Sequence, residues 1–110
     1  MIRREMIGAV AMLAGFPLIA EASNAARPST HTIIIAKMRF GAVPPNIKAG
    51  DMIVWINQDI VAHTATARDG SFDVELPPGS SASVVVSRPG TIAFFCRYHP
   101  TMRGSLVVAR

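Results

Sequence analysis

From His31 onward, short β-branched and apolar runs alternate with clusters of Gly, Pro, Asn and Asp, and no segment there carries apolar residues at helical spacing. Runs of this kind read as strands closed by turns. The pattern predicts strands over 32–36 (continuing to 40), 46–48, 52–57, 64–67, 72–76, 81–87, 91–96 and 105–109. Gly and Pro punctuate them at 41–45, 49–51, 69–70, 77–79 and 88–90. Seven or eight short strands at this spacing imply an all-β fold, an antiparallel sandwich or barrel. There is no internal repeat and no low-complexity tract.

Alternation within 91–96 places Ile92, Phe94 and Cys96 on one face and Ala93 and Phe95 on the other. With Phe94 turned into the core, the sulfur of Cys96 points inward at a strand end, at one pole of the sandwich. Met38 and Met52 fall within predicted strands and read as core packing.

The first part of the chain has a different character. Arg3 and Arg4 precede an apolar stretch over 6–20 that breaks at Glu21, and Ser23-Asn24-Ala25 supplies small residues for cleavage. This is the layout of a secretory signal, and the stretch is short for a membrane span. We therefore expect residues 1–25 to be a signal peptide and residues 26–110 the exported domain. After cleavage no stable membrane insertion is expected, and the compartment would be the periplasm. A domain of that size buries one modest core.

Cysteine usage sharpens the picture, because Cys96 is the single cysteine. No disulfide can form within the chain, and a lone thiol in an oxidising compartment is a liability unless buried or occupied. A bound metal would answer that and also stabilise the folded state by mass action. The formal net charge of +4 is scattered and forms no basic run, which excludes nucleic acid as an expected partner.

The chemistry concentrates in Phe95-Cys96-Arg97-Tyr98-His99-Pro100-Thr101-Met102. A thiolate, an imidazole and a thioether stand within seven residues, where a predicted strand ends. A thiolate and two imidazoles in a plane, with a weak thioether, form the donor set of a blue-copper site. His63 is the best-placed second imidazole; His31 is expected to be solvated. Four protein donors leave no open position for substrate. Asp69, Asp73 and Glu75 are read as solvated, so no acid–base pair is apparent and the chain is not expected to be an enzyme.

These residues bring a resemblance into view. Val54-Trp55-Ile56-Asn57 leading to His63, and Cys96-x-x-His99-Pro100-x-Met102-Arg103-Gly104 with the strand after it, resemble the cupredoxins, most of all the amicyanin group with its short two-and-two loop. The resemblance implies a Greek-key β-sandwich holding one type 1 copper ion through His63, Cys96, His99 and Met102. It implies a monomeric carrier of single electrons between redox proteins, a donor dehydrogenase or an acceptor cytochrome, that dock transiently. Val61, Ala62, Tyr98, Thr101 and Pro100 would form the docking face, flanked by Arg97 and Arg103. Thr64 stands where such proteins usually carry Asn, so Thr64 and Pro100 become the residues expected to support the donors. Copper storage or delivery, and a metal-free interaction module, are the competing functions.

Overall fold

The computed structural model describes residues 27–110. The expected signal segment lies outside the described residues. Nine strands follow one another: β1 (Thr30–Ala36), β2 (Arg39–Phe40), β3 (Ile47–Lys48), β4 (Asp51–Asn57), β5 (His63–Ala67), β6 (Asp73–Leu76), β7 (Ser81–Val86), β8 (Gly90–Phe95) and β9 (Arg103–Ala109). They form a four-stranded sheet, β2-β1-β4-β7, facing a five-stranded sheet, β3-β9-β8-β5-β6. No helix among the described residues is long and apolar enough to cross a membrane.

The all-β sandwich agrees with the sequence pattern, but two features differ. The predicted strand through residue 40 is broken at Lys37 and Met38, whose φ values of 54° and 60° are left-handed. Two such residues in succession make the tight hairpin turn that matches strand twist, so the chain folds back as β2. The sheets are also mixed rather than antiparallel: β1 pairs with β4, and β3 with β9, in parallel. After β2 the chain passes through Pro44 and Pro45, crosses to the other sheet as β3, and returns as β4 running alongside β1.

The core lies between the sheets. Ile33, Ile35, Ile53 and Trp55 face Ala65, Leu76, Ile92, Phe94, Leu106 and Val108. Removing each large side chain from water contributes roughly 1.5–3 kcal/mol, which fixes the phase of every strand. The ring of Phe94 meets Trp55 and Phe40 edge-on, with centroids 5.0 and 4.8 Å away. That phase puts Met52 outside, since Asp51, Ile53, Trp55 and Asn57 take the inner positions. Met38 sits in the β1–β2 turn. Both methionines are exposed, and the expectation of core packing fails for each.

Candidate metal centre

Strand β8 carries Ile92, Phe94 and Cys96 inward, and all three are buried, as alternation requires. Strand β5 lies beside β8, with Thr66 opposite Phe95, so His63 at its start reaches the cysteine across 33 residues of chain. The loop after Cys96 is closed by its own backbone. The Cys96 N–H donates to the Met102 carbonyl at 3.1 Å, and the Met102 N–H donates to the His99 carbonyl at 2.8 Å. Both Cys96 and His63 are wholly buried, Met102 is nearly so, and the ring of His99 is half-buried.

The donor atoms converge. Cys96 Sγ is 3.7 Å from His63 Nδ1 and 3.7 Å from His99 Nδ1, and the three atoms lie within 4.8 Å of one another. A borderline metal ion bonded at about 2.3 Å to sulfur and about 2.0 Å to nitrogen, with angles near 110–120°, separates those donors by about 3.5–3.7 Å. The spacing fits a shared ion. Thiolate, imidazole and thioether together favour copper over hard cations such as magnesium or calcium.

What surrounds the donors fixes them. His63 Nε2 is 2.8 Å from Asp59 Oδ2. The carboxylate accepts, so the proton sits on Nε2 and the Nδ1 lone pair faces the sulfur, an arrangement that orients metal-binding histidines. Asp59 is itself held by the N–H groups of Lys37 and Met38 at 2.7 and 2.9 Å. The His63 hydrogen bond, then the Met38 N–H, keeps its carboxyl below the usual carboxylate range. Asn57 shapes the intervening loop: its amide donates to the carbonyls of Val61 and Leu76 at 2.9 Å, and its oxygen accepts the Asp59 N–H.

On the cysteine side, the Thr64 N–H donates to Cys96 Sγ at 3.4 Å, and Thr64 Oγ1 accepts the Arg97 N–H at 2.9 Å. A hydroxyl thus ties the two donor segments together. Arg97 does not project freely: its guanidinium pairs with Asp73 at 3.1 Å and Glu75 at 2.7 Å. Tyr98 donates its hydroxyl proton to Glu75 at 2.6 Å, which raises the phenol above its ordinary value. Asp73 and Glu75, expected to be solvated, are therefore engaged. Asp69 sits on its turn, accepting from Ser71 and paired with Arg88. Asp73 and Glu75 remain half-exposed, whereas His31, expected to be solvated, is largely buried and binds Asp51 at 2.8 Å at the start of β1.

Among the docking residues, Val61, Tyr98, Pro100, Thr101 and Arg103 are exposed and Ala62 is half-buried, in or beside the two loops that carry the donors. Ile60, which sequence reasoning passed over, is 92% exposed beside them. Asp59 and the Thr66–Asp73 pair were also missed. Asp59 stands four residues before His63, but in a loop that interval carries no geometric meaning, so nothing in the sequence marked it.

The description of the cupredoxin-like domain family matches residues 9–108. Amicyanin-alpha of Methylorubrum extorquens is 35% identical over 94 residues, covering 80% of this chain and 79% of that protein. Amicyanin of Paracoccus versutus is 29% identical over 80 residues, covering 67% of this chain and 61% of its own. A reduced amicyanin bearing a proline-to-phenylalanine substitution matches with a TM-score of 0.63 at 27% identity, over 72% of this chain and 81% of that one. The purple cupredoxin of Nitrosopumilus maritimus shares the fold at 22% identity, with a TM-score of 0.63 over 72% and 99% of the two chains. With nearly its whole length matched, this chain belongs to the cupredoxin-like family.

Proposed function

We propose that this chain is a small exported blue-copper protein that carries single electrons between redox partners, binding one type 1 copper ion through His63, Cys96, His99 and Met102. The observation that carries the reading is the convergence of a buried thiol and two imidazole nitrogens at 3.7 Å from the sulfur, at one pole of the sandwich. When bound, copper supplies a reversible change between Cu(I) and Cu(II) within one donor set. The protein's part is to keep that set still. Asp59 holds the His63 ring, the Thr64 N–H steadies the sulfur, and the backbone bonds of the 96–102 loop fix Met102 and His99. Little then has to move between oxidation states, which favours transfer over catalysis.

His99 is the half-buried donor, so its ring is the route between the interior and the surface. Val61, Ala62, Tyr98, Pro100 and Thr101 supply a mostly uncharged face for a donor dehydrogenase or an acceptor cytochrome, with Arg97 and Arg103 at its margin. The contact would fall at the low end of the roughly 1,200 Å² class of redox encounters. Residues 1–25 act as the export signal, and the monomeric domain 26–110 works in the periplasm. Copper delivery fits less well, because an incoming acceptor cannot reach Cys96 or His63, both at 0% exposure.

Absorption spectroscopy tests the reading. Adding Cu(II) to the metal-free protein is expected to give an intense band toward the red that bleaches on reduction and returns on reoxidation. A colourless protein that binds only Cu(I) would replace the carrier reading with delivery.

A further inference from the structure

Thr64 and Thr66 occupy the outward phase of β5, because Ala65 and Ala67 take the inward one, yet they are only 0% and 9% exposed. Two hydroxyls buried on the outside of a sheet need a reason. They form a series: the Arg97 N–H donates to Thr64 Oγ1 at 2.9 Å, Thr64 Oγ1 lies 2.9 Å from Thr66 Oγ1, and the Thr66 hydroxyl donates to Asp73 Oδ1 at 2.8 Å. Proton counting sets the direction. A hydroxyl has one proton to give, and Thr66 gives its own to the carboxylate. Thr64 must then donate to Thr66, which leaves its lone pairs for the peptide N–H of Arg97. Thr66 stands opposite Asp73 in the β5–β6 register, so the series enters β5 at Thr64, steps along it to Thr66 and crosses to β6 at Asp73. The Arg97 side chain returns to the same Asp73 oxygen at 3.1 Å and closes the circuit over the threonines.

We propose that Thr66 and Asp73 are positioning residues of the metal site, acting through Thr64 on the peptide that joins Cys96 to Arg97. The inference rests on the copper reading above. The Arg97 N–H belongs to the peptide bond immediately after Cys96, so its hydrogen bond sets the plane of that peptide and with it the direction of the Cys96 side chain. Thr64 alone is a short, neutral anchor. A carboxylate at the end of the series polarises each hydroxyl toward it and strengthens the acceptor that Thr64 offers to Arg97. The Asp73–Arg97 pair, which as an isolated exposed ion pair would contribute little, here shares the carboxylate that terminates the series.

Thr66→Val removes the hydroxyl at nearly constant volume; Thr66→Ser keeps it. Each protein, loaded with copper, is compared with the parent for its red absorption band and for copper affinity by chelator competition, with unfolding of the metal-free proteins alongside. Thr66→Val is expected to shift the band and lower affinity on the order of tenfold, the loss typical when a partner supporting a ligand is removed. Thr66→Ser is expected to restore both. Parent-like band and affinity in Thr66→Val, or a Thr66→Ser protein as impaired as the valine variant, would overturn the proposal. If Thr66→Val does not fold, Asp73→Asn at the half-exposed end decides: a shifted band supports the series, and an unchanged one sinks it. A parent with no red band at all removes the copper reading and this inference together, whereas a parent band with unaltered variants removes only the inference.

Discussion

At Cys96 one side chain meets three demands: it must stay reduced, stay buried, and remain able to bind. Zero exposure protects the only thiol of the chain, and the Thr64 N–H gives its sulfur a directional partner without consuming it. Met102 has a different standing. Its backbone is bonded on both sides, to Cys96 and to His99, so the loop keeps its shape whatever the side chain is. A thioether is a neutral, weak donor beside a thiolate and two imidazoles, and its effect is on potential more than on affinity. Met102→Leu is therefore expected to retain copper, with affinity within roughly tenfold of the parent, short of what removing a strong supporting group costs. The reduction potential should rise, because less donor density reaches Cu(II). Potentiometry with chelator competition checks both halves. Loss of copper from a folded Met102→Leu protein would make the thioether a principal ligand.

The Phe94 ring on β8 lies against Gly104 on the paired strand β9. A methyl group on Gly104 would stand 2.6 Å from Phe94 Cζ, and that ring is boxed in by Trp55 and Phe40, so it has nowhere to go. Gly104→Ala should destabilise the metal-free protein by about 1–3 kcal/mol, read as a lower denaturant midpoint. A parent-like midpoint would mean the Phe94 ring shifts aside at little cost. A second device joins the start of the domain to the β3–β4 turn. Asp51 accepts from the N–H groups of Ser29 and Lys48 and pairs with His31. Led by the Ser29 N–H and then the His31 hydrogen bond, these partners lower its pKa to about 2 from an ordinary 3.8. A depressed carboxyl stabilises the fold above its unfolded value and loses that contribution as pH falls toward the folded one. Metal-free protein should thus lose stability between about pH 4 and pH 2, and Asp51→Asn should flatten that limb while costing roughly 1–3 kcal/mol at neutral pH. An acid limb identical in Asp51→Asn would assign it to other groups. These elements also show what the sequence made legible. Runs of β-branched and apolar residues between turn signals gave β4, β5 and β8, alternation within β8 gave the phase of Cys96, and the Cys-x-x-His-x-x-Met spacing was readable because one loop holds it. The parallel pairing of β1 with β4, the grip of Asp59 on the β1–β2 turn, and the Asp51 clasp join groups about 20 residues apart, where neither spacing nor composition leaves a trace.

For the molecule as a whole, the distribution of charge matters more than its sum. At the donor pole Arg97 is met by Asp73 and Glu75, and Asp59 lies against His63. Arg97, engaged by two carboxylates, has no free charge to offer an acidic partner. Association at this pole should then depend on shape and apolar contact and only weakly on ionic strength, since steering needs an unbalanced field. Electron self-exchange between oxidised and reduced copies tests this without knowledge of the partner, because two copies of the same pole must meet. By NMR line broadening, the parent rate should change little with added salt. Thr101→Glu places one new charge on the exposed loop of each copy. Two like charges brought close in a partly desolvated contact repel by about 1–4 kcal/mol, and each 1.4 kcal/mol is a factor of ten. The variant's self-exchange should fall by about tenfold or more at low ionic strength and recover as salt screens the repulsion. A Thr101→Glu rate equal to the parent's at low salt would show that electrons enter and leave elsewhere than beside His99.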